Sequence, residues 1–184
     1  MNRRDDCPHR ERCGRTGHFQ GDGTWHRCDC LVQEVNQRHM GPFYDEKPKG
    51  KTKLISMIDE DAVLEGPIAS IRPHVAGVIL YLLGKKLSFL TMDAYRILEI
   101  FLGEDQSLQS IAGMSNPDLL ILLLGFGDPP NRYLPELILQ VLSRRQLIRK
   151  PTWVVLGLPV KQIAGRYNET LGQVITKFKA VTVK

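Results

Sequence analysis

Residues 62–84 read AVLEGPIASIRPHVAGVILYLLG. AVLE (62–65) has the texture of a short strand, HVAGVILYLLG (74–84) that of a helix, and GPIASIRP (66–73) reads as the loop between them. Strand, glycine-led loop and helix are the frame of the phosphate-binding loop G-x-x-x-x-G-K-[ST], whose backbone amides and lysine hold phosphate oxygens. Gly66 fits the first position, but Ile71, Arg72 and Pro73 follow Ser70 where Gly, Lys and Ser/Thr belong. A β-branched Ile71 resists the backbone conformation that the glycine adopts. Arg72 offers a broad planar fork in place of a compact ammonium, and Pro73 has neither a hydroxyl for Mg²⁺ nor an N–H. As a first helical residue Pro73 is comfortable, so the stretch predicts a fold kept and a phosphate grip lost.

The pattern continues outward from this junction. In HVAGVILYLLGKK, Val75, Ile79, Leu82 and Leu83 lie at helical spacing, closing on Gly84 and two lysines. LSFLTM reads as a strand and DAYRILEIFLGED as an amphipathic helix with Asp93 at its start. DLLILLLG is a continuous apolar run, as in a strand buried on both faces. YLPELILQVLSRRQLIRK predicts a helix, PTWVVLGLP a central strand, IAGRYNETLGQVITKF one helix and AVTV a last short strand. Alternation of this kind predicts an α/β domain with a parallel sheet.

The first 45 residues differ in kind. All four cysteines of the 184-residue chain lie there, at Cys7, Cys13, Cys28 and Cys30, spaced C-x5-C-x14-C-x-C. Clustered thiols in a reducing compartment read as metal ligands, and four thiolates close a tetrahedral Zn²⁺ site that staples a segment poor in apolar residues. His9, His18 and His26 are spare candidate ligands, His26 the best of them, because a C-x-C pair strains when both sulfurs bind one ion. Four cysteines leave no open coordination position, so the zinc is expected to be structural. LVQEVNQRH (31–39) then reads as a short helix and GPFYDEKPKGKTK as a polar linker. The predicted organisation is a cysteine-rich zinc module with a helix over 1–45, a linker over 46–58 and an α/β domain over 59–184.

Charge is uneven. The chain carries +5 overall, but residues 121–184 hold ten basic groups against three acidic ones, or +7, whereas residues 51–120 hold six against nine, or −3. A basic C-terminal third suits a polyanion such as nucleic acid, and Arg144, Arg145, Arg149 and Lys150 are its candidate DNA or subunit contacts. No apolar run is long enough to span a bilayer, and the opening MNRRDDCPHRER lacks the apolar core of a secretion signal. The expectation is a cytoplasmic protein without a membrane partner.

Several stretches together resemble the AAA+ domain of bacterial replicative-helicase loaders and IstB transposition helpers (the DnaC/IstB type), over roughly residues 60–184. GPIASIRPHVA resembles the loaders' G-P-P-G-x-G-K-T-H-x-A. PDLLILLLGFGDPP resembles the Walker B strand, D-L-L-I-[LI]-D-D-[LI]-G. LILQVLSRRQLIRKPTWVVLGLP resembles the helix with paired arginines and the sensor 1 strand P-T-[IV]-V-T-[TS]-N-L-P. GRYNETLGQVITKFKAVTV resembles the last helix and strand, with no lid domain after them. The resemblance implies a P-loop NTPase (AAA+-like) core and assigns site positions. Leu123 and Leu124 stand at the two acidic Walker B positions, which would hold Mg²⁺ and orient water. Gly157 stands at the sensor 1 asparagine, and Val174 near the arginine finger.

Gly66, Ser70, Ile71, Arg72, Pro73, Leu123, Leu124 and Gly157 thus read as a degenerate nucleotide site. The chain is expected to be a pseudo-ATPase rather than an enzyme, with ATP not among its cofactors. The resemblance further implies a role in DNA replication or mobile-element maintenance, with a replicative helicase, an active AAA+ partner and single-stranded DNA as the partners. Phe126, Tyr133 and Trp153 are candidate stacking residues, with the core as the alternative for Trp153. Two other readings stand beside this one: a zinc-module DNA-binding regulator with a scaffold domain, and a true ATPase whose site is misplaced in this alignment. Glu104, Asp105 and Asp128 could serve as substitute acids, but all three are expected in polar loops or at helix ends, where a carboxylate is solvated.

Overall fold

The computed structural model describes residues 18–27, 43, 46–50, 52–103, 111–128 and 131–183. The chain divides into two units, Met1–Tyr44 and Asp45–Lys184.

In the first unit, β1 (His18–Gly21) and β2 (Thr24–Arg27) pair antiparallel, with Gly21 opposite Thr24. The turn is Asp22-Gly23, with φ of 51° and 77°. Two consecutive left-handed residues form the primed turn whose twist matches a hairpin, and Asp-Gly is its preferred pair. The sequence reading passed over this hairpin. Cys7, His9, Cys13, Cys28, Cys30 and the helix expected at 31–39 lie outside the described residues, and of His18 and His26 only the backbone, in β1 and β2, is described.

The second unit is a five-stranded sheet in the order β4-β5-β6-β3-β7, parallel throughout. Its strands are β3 (Ala62–Glu65), β4 (Phe89–Asp93), β5 (Leu119–Leu124), β6 (Thr152–Leu156) and β7 (Lys179–Thr182). Between them run α1 (Ile68–Gly84), α2 (Ala94–Phe101), α3 (Ile111–Ser115), α4 (Leu134–Leu147), α5 (Ile163–Arg166) and α6 (Glu169–Ile175).

The strand order fixes where the helices lie. From β3 the chain crosses to the β4 edge and then steps back through β5 and β6 to β7. Right-handed crossovers therefore place α1 on one face and the later helices on the other. Burial follows the two-residue alternation of the strands. Leu120, Leu122, Leu124, Val154 and Leu156 share a core with residues of α2, α4 and α6. The alternate residues Ile121, Leu123, Trp153 and Val155 are equally buried. They face the side of α1, whose Ile71, Val75, Val78, Ile79 and Leu82 are buried. Trp153 belongs to this core; its indole N–H donates to the Glu60 carbonyl at 3.2 Å.

Three expectations are corrected. First, GPIASIRP is not a loop: α1 starts at Ile68 and contains Pro73 in its interior, so Pro73 is not a first helical residue. It leaves the Ala69 carbonyl without its helical donor, while its own carbonyl accepts from Lys49 N–H at 2.8 Å. Second, the expected linker is docked on this unit. Thr52 Oγ1 lies 2.8 Å from His74 Nδ1, and a Cβ on Gly77 would fall 2.2 Å from the Lys49 carbonyl oxygen. Third, residues 163–178 form two helices rather than one. Asn168 breaks the run in extended conformation and caps α6, accepting from Leu171 N–H at 2.7 Å.

Candidate functional site

In a parallel sheet, ligands settle outside the carboxyl ends of the strands where successive crossovers diverge to opposite faces. Here that point lies between β3 and β6, neighbours in register with Glu65 beside Leu156. A cavity of about 390 Å³ opens there, bounded by Glu65, Gly66, Gly157, Leu158, Pro159 and Thr182.

Gly66 follows β3 with φ of 145°, a conformation closed to other residues. A Cβ on it would meet the Val183 carbonyl oxygen at 2.3 Å, because Val183 N–H donates to the Glu65 carbonyl at 2.9 Å and draws the chain end across. Only Pro67 separates Gly66 from α1. The amides of Ser70 and Ile71 both turn back to the Pro67 carbonyl, at 2.8 and 3.1 Å. Ile71 is wholly buried. Arg72 and Pro73 follow it in the helix, partly buried; Arg72 Nε is shielded from solvent and has no hydrogen-bond partner among the described residues. The segment that would curl around phosphates is thus wound into helix.

The cavity also holds an anion of the protein's own. Glu65 Oε1 accepts from Val160 N–H at 2.9 Å, capping the short 3-10 turn Val160–Gln162. A carboxylate at this point opposes a triphosphate on the same amide.

Between β5 and β6 the space is closed by backbone. Leu123 and Leu124 are buried on opposite faces of β5. A Cβ on Gly157 would lie 2.5 Å from the Gly125 carbonyl oxygen and 2.9 Å from the Phe126 ring. Gly157 N–H donates to the Leu124 carbonyl at 2.8 Å. An asparagine at 157 would have no room. Val174, on α6, packs partly buried against the core.

A second polar group lies farther along the same edge. Asp128 is buried, contrary to the solvated position expected of it. Its Oδ2 accepts from Gly125 N–H at 2.7 Å and from the Tyr167 hydroxyl, and its carbonyl accepts from Arg166 Nη2 at 2.9 Å. Burial raises its carboxyl above the usual range, opposed by the Gly125 and Phe126 amides and by Arg166, and helped by Asp93. A cavity of about 480 Å³ adjoins it, lined by Asn131, Arg132, Arg166, Tyr167 and Asn168 among others. Tyr133, between the lining residues Arg132 and Leu134, is half exposed, and Arg132 lies over its ring at 4.7 Å; Phe126 is exposed to a lesser degree. Glu104 and Asp105 lie outside the described residues.

The basic quartet separates. Arg145 is fully buried, its guanidinium donating to Thr152 Oγ1 at 2.9 Å, to the Ser115 and Pro117 carbonyls at 2.8 Å each, and to the Pro151 carbonyl. It cannot reach DNA, which corrects its reading as a contact: it ties α3 and the β5 and β6 entries together. Lys150 pairs with Asp118 at 3.2 Å. Arg144 and Arg149 are exposed.

No protein-family model matches the chain, and comparison with curated proteins finds no match. Solved structures do share its fold. The DnaC helicase loader is 15% identical, over 85% of this chain and 88% of its own, with a TM-score of 0.51. DnaI is 14% identical over 84% and 82%, with a TM-score of 0.53. AMPPCP-bound DnaA from Aquifex aeolicus is 9% identical over 72% of this chain, with a TM-score of 0.58, and the chain spans only 43% of its length. At such identities the likeness shows the fold alone, one shared with the DnaC and DnaI structures.

Proposed function

We propose that this chain, built on the AAA+ helicase-loader fold, acts in DNA replication or mobile-element maintenance by binding and not by turnover. The observation that supports this most directly is the start of α1 at Ile68. Phosphate nests need a run of free amides ahead of the helix, and here those positions are helical, with Ile71 in the core. The Glu65 carboxylate on Val160 N–H and the backbone packing at Gly157 argue in the same direction. A pseudo-subunit of this kind binds a replicative helicase or an active AAA+ partner through surfaces that need no nucleotide.

Single-stranded DNA is the second partner in this reading. The exposed Tyr133 and Phe126 offer stacking surfaces, and Arg132 and Arg166 at the adjoining cavity offer phosphate contacts. The four cysteines hold a structural Zn²⁺ in the first unit, a point that metal analysis of the purified chain decides: no zinc, or zinc retained after all four become serine, would refute it.

The test is co-elution of the full chain with the hexameric replicative helicase of its host, with and without ATP. A complex independent of nucleotide supports the reading. Absence of any complex, or one that forms only with ATP, overturns it.

A further inference from the structure

The segment whose composition marks it as a linker is held against α1 by specific contacts. Lys49 N–H donates to the Pro73 carbonyl at 2.8 Å. The Lys49 carbonyl oxygen sits 2.2 Å from where a Cβ on Gly77 would be, so only glycine leaves room for it, at a helical position where alanine is the better former. Thr52 is buried and caps the 3-10 turn Lys53–Met57, its Oγ1 accepting from Leu54 N–H at 3.2 Å. Leu54 and Met57 of that turn are buried in their turn. Lys49, Thr52 and the 3-10 turn together make a strap across the outer side of the helix.

His74 fastens the strap at two points. Its Nδ1 lies 2.8 Å from Thr52 Oγ1, and its Nε2 lies 3.2 Å from Lys49 Nζ. An ammonium can only donate, so Nε2 accepts. The ring is therefore neutral, with its proton on Nδ1, and Thr52 Oγ1 accepts from both the ring and Leu54 N–H. A second proton, at Nε2, would turn an N–H toward the Lys49 ammonium and set two cations face to face.

The surroundings do not offset that second charge. On α1 the positions one turn from His74 are Ser70, Ile71, Gly77 and Val78, none of them ionisable. On the 3-10 turn the charged residue is Lys53, which is exposed. Among the described residues Lys49 is the charge that acts on the ring; burial first, and then Lys49, holds the His74 pKa below the ordinary histidine value of 6.5. The docked strap thus binds fewer protons than the freed one. Docking is at full strength above the ordinary imidazole range and weakens as pH falls through it.

We infer that the strap is a pH-sensitive latch: neutral His74 fastens Lys49 and Thr52 to α1, and protonated His74 releases them. The second unit begins at Asp45, so release frees the stretch through which the first unit is joined to the α/β domain. The latch is independent of the helicase reading.

The test is NMR-detected amide exchange of the full chain at about pH 7.5 and 5.5, corrected for the intrinsic pH dependence of exchange. The Lys49 and Leu54 amides should lose protection by at least about threefold at the lower pH, the scale of an exposed charge contact, while the amides of β5 keep theirs. His74→Gln, neutral throughout, should abolish the pH difference, and Lys49→Met should shrink it. Gly77→Ala should free both amides at either pH, because the new methyl takes the place of the Lys49 carbonyl. Equal protection at the two pH values overturns the inference, and so does a pH difference that survives in His74→Gln. Parallel loss of protection in β5 overturns it too, because the effect of acid would then be global. Lys49 still protected in Gly77→Ala would show that the strap is not docked as described, and the latch would fall with it.

Discussion

Replacing Arg145 with alanine tests how the second unit is held together. The side chain is fully buried and donates to the Thr152 hydroxyl and to the Ser115, Pro117, Asp118 and Pro151 carbonyls. Burial pulls its pKa down to about 10, opposed by Asp61 and Asp118, so it is charged at neutral pH. Hydrogen bonds from a charged donor contribute about 1.5–3 kcal/mol each. Water entering the vacated space recovers part of that, and truncating one side of a buried charged network costs about 3–5 kcal/mol. For a chain of this size the corresponding loss is about 6–20 °C in melting temperature, at ~2–4 °C per kcal/mol. Arg145→Lys, which keeps the charge but not the fork, should recover only part. Arg144→Ala, one residue away and exposed, should stay within about 0.5 kcal/mol. Urea and thermal melts read all three. If Arg145→Ala melts like wild type while losing DNA affinity, the assignment of Arg145 to the interior is wrong.

Three further outcomes are expected. Asp128 has a raised folded-state pKa, so the native state holds its proton more tightly than the unfolded chain. Its contribution to stability therefore falls as pH rises from the ordinary carboxyl range through the raised value, then levels off. Asp128→Asn should remove that slope and match or exceed wild-type stability at neutral pH, as melts between pH 3 and 8 would show. Gly66→Ala should cost about 2 kcal/mol or more, because the new Cβ meets the Val183 carbonyl at 2.3 Å on a backbone at φ 145°; urea titration measures it. Rebuilding the motif with Ile71→Gly, Arg72→Lys and Pro73→Thr should destabilise by about 3–5 kcal/mol through the lost Ile71 side chain and restore no ATP hydrolysis, read by phosphate release.

Much of the fold was legible because buried parallel strands write themselves as unbroken apolar runs. LLILLL became β5 and TWVVL became β6. The helix start at Ile68 was hidden by Pro73, read as punctuation, although Ile68, Ile71 and Val75 already continue the helical spacing upstream. Arg145 carried a similar signal, since it extends the buried stripe Leu134, Ile138, Val141, Leu142 by one turn; its charge suggested a surface instead. The two-helix break had its cue in Asn168, a preferred capping residue. Asp128 had none. Its burial depends on Tyr167, 39 residues away, and no local pattern reports a partner at that distance. The Asp-Gly turn of the first unit was in plain view as a hairpin signal, and the weight given to the cysteines around it obscured it.

The account rests on the segment after β3, which is helical from Ile68 where a phosphate loop would need free amides, and titration of the full chain with Mg²⁺-ATP in a calorimeter tests that most directly. The predicted result is no saturable heat up to millimolar nucleotide. A micromolar, Mg²⁺-dependent isotherm that disappears in Arg72→Ala would contradict it.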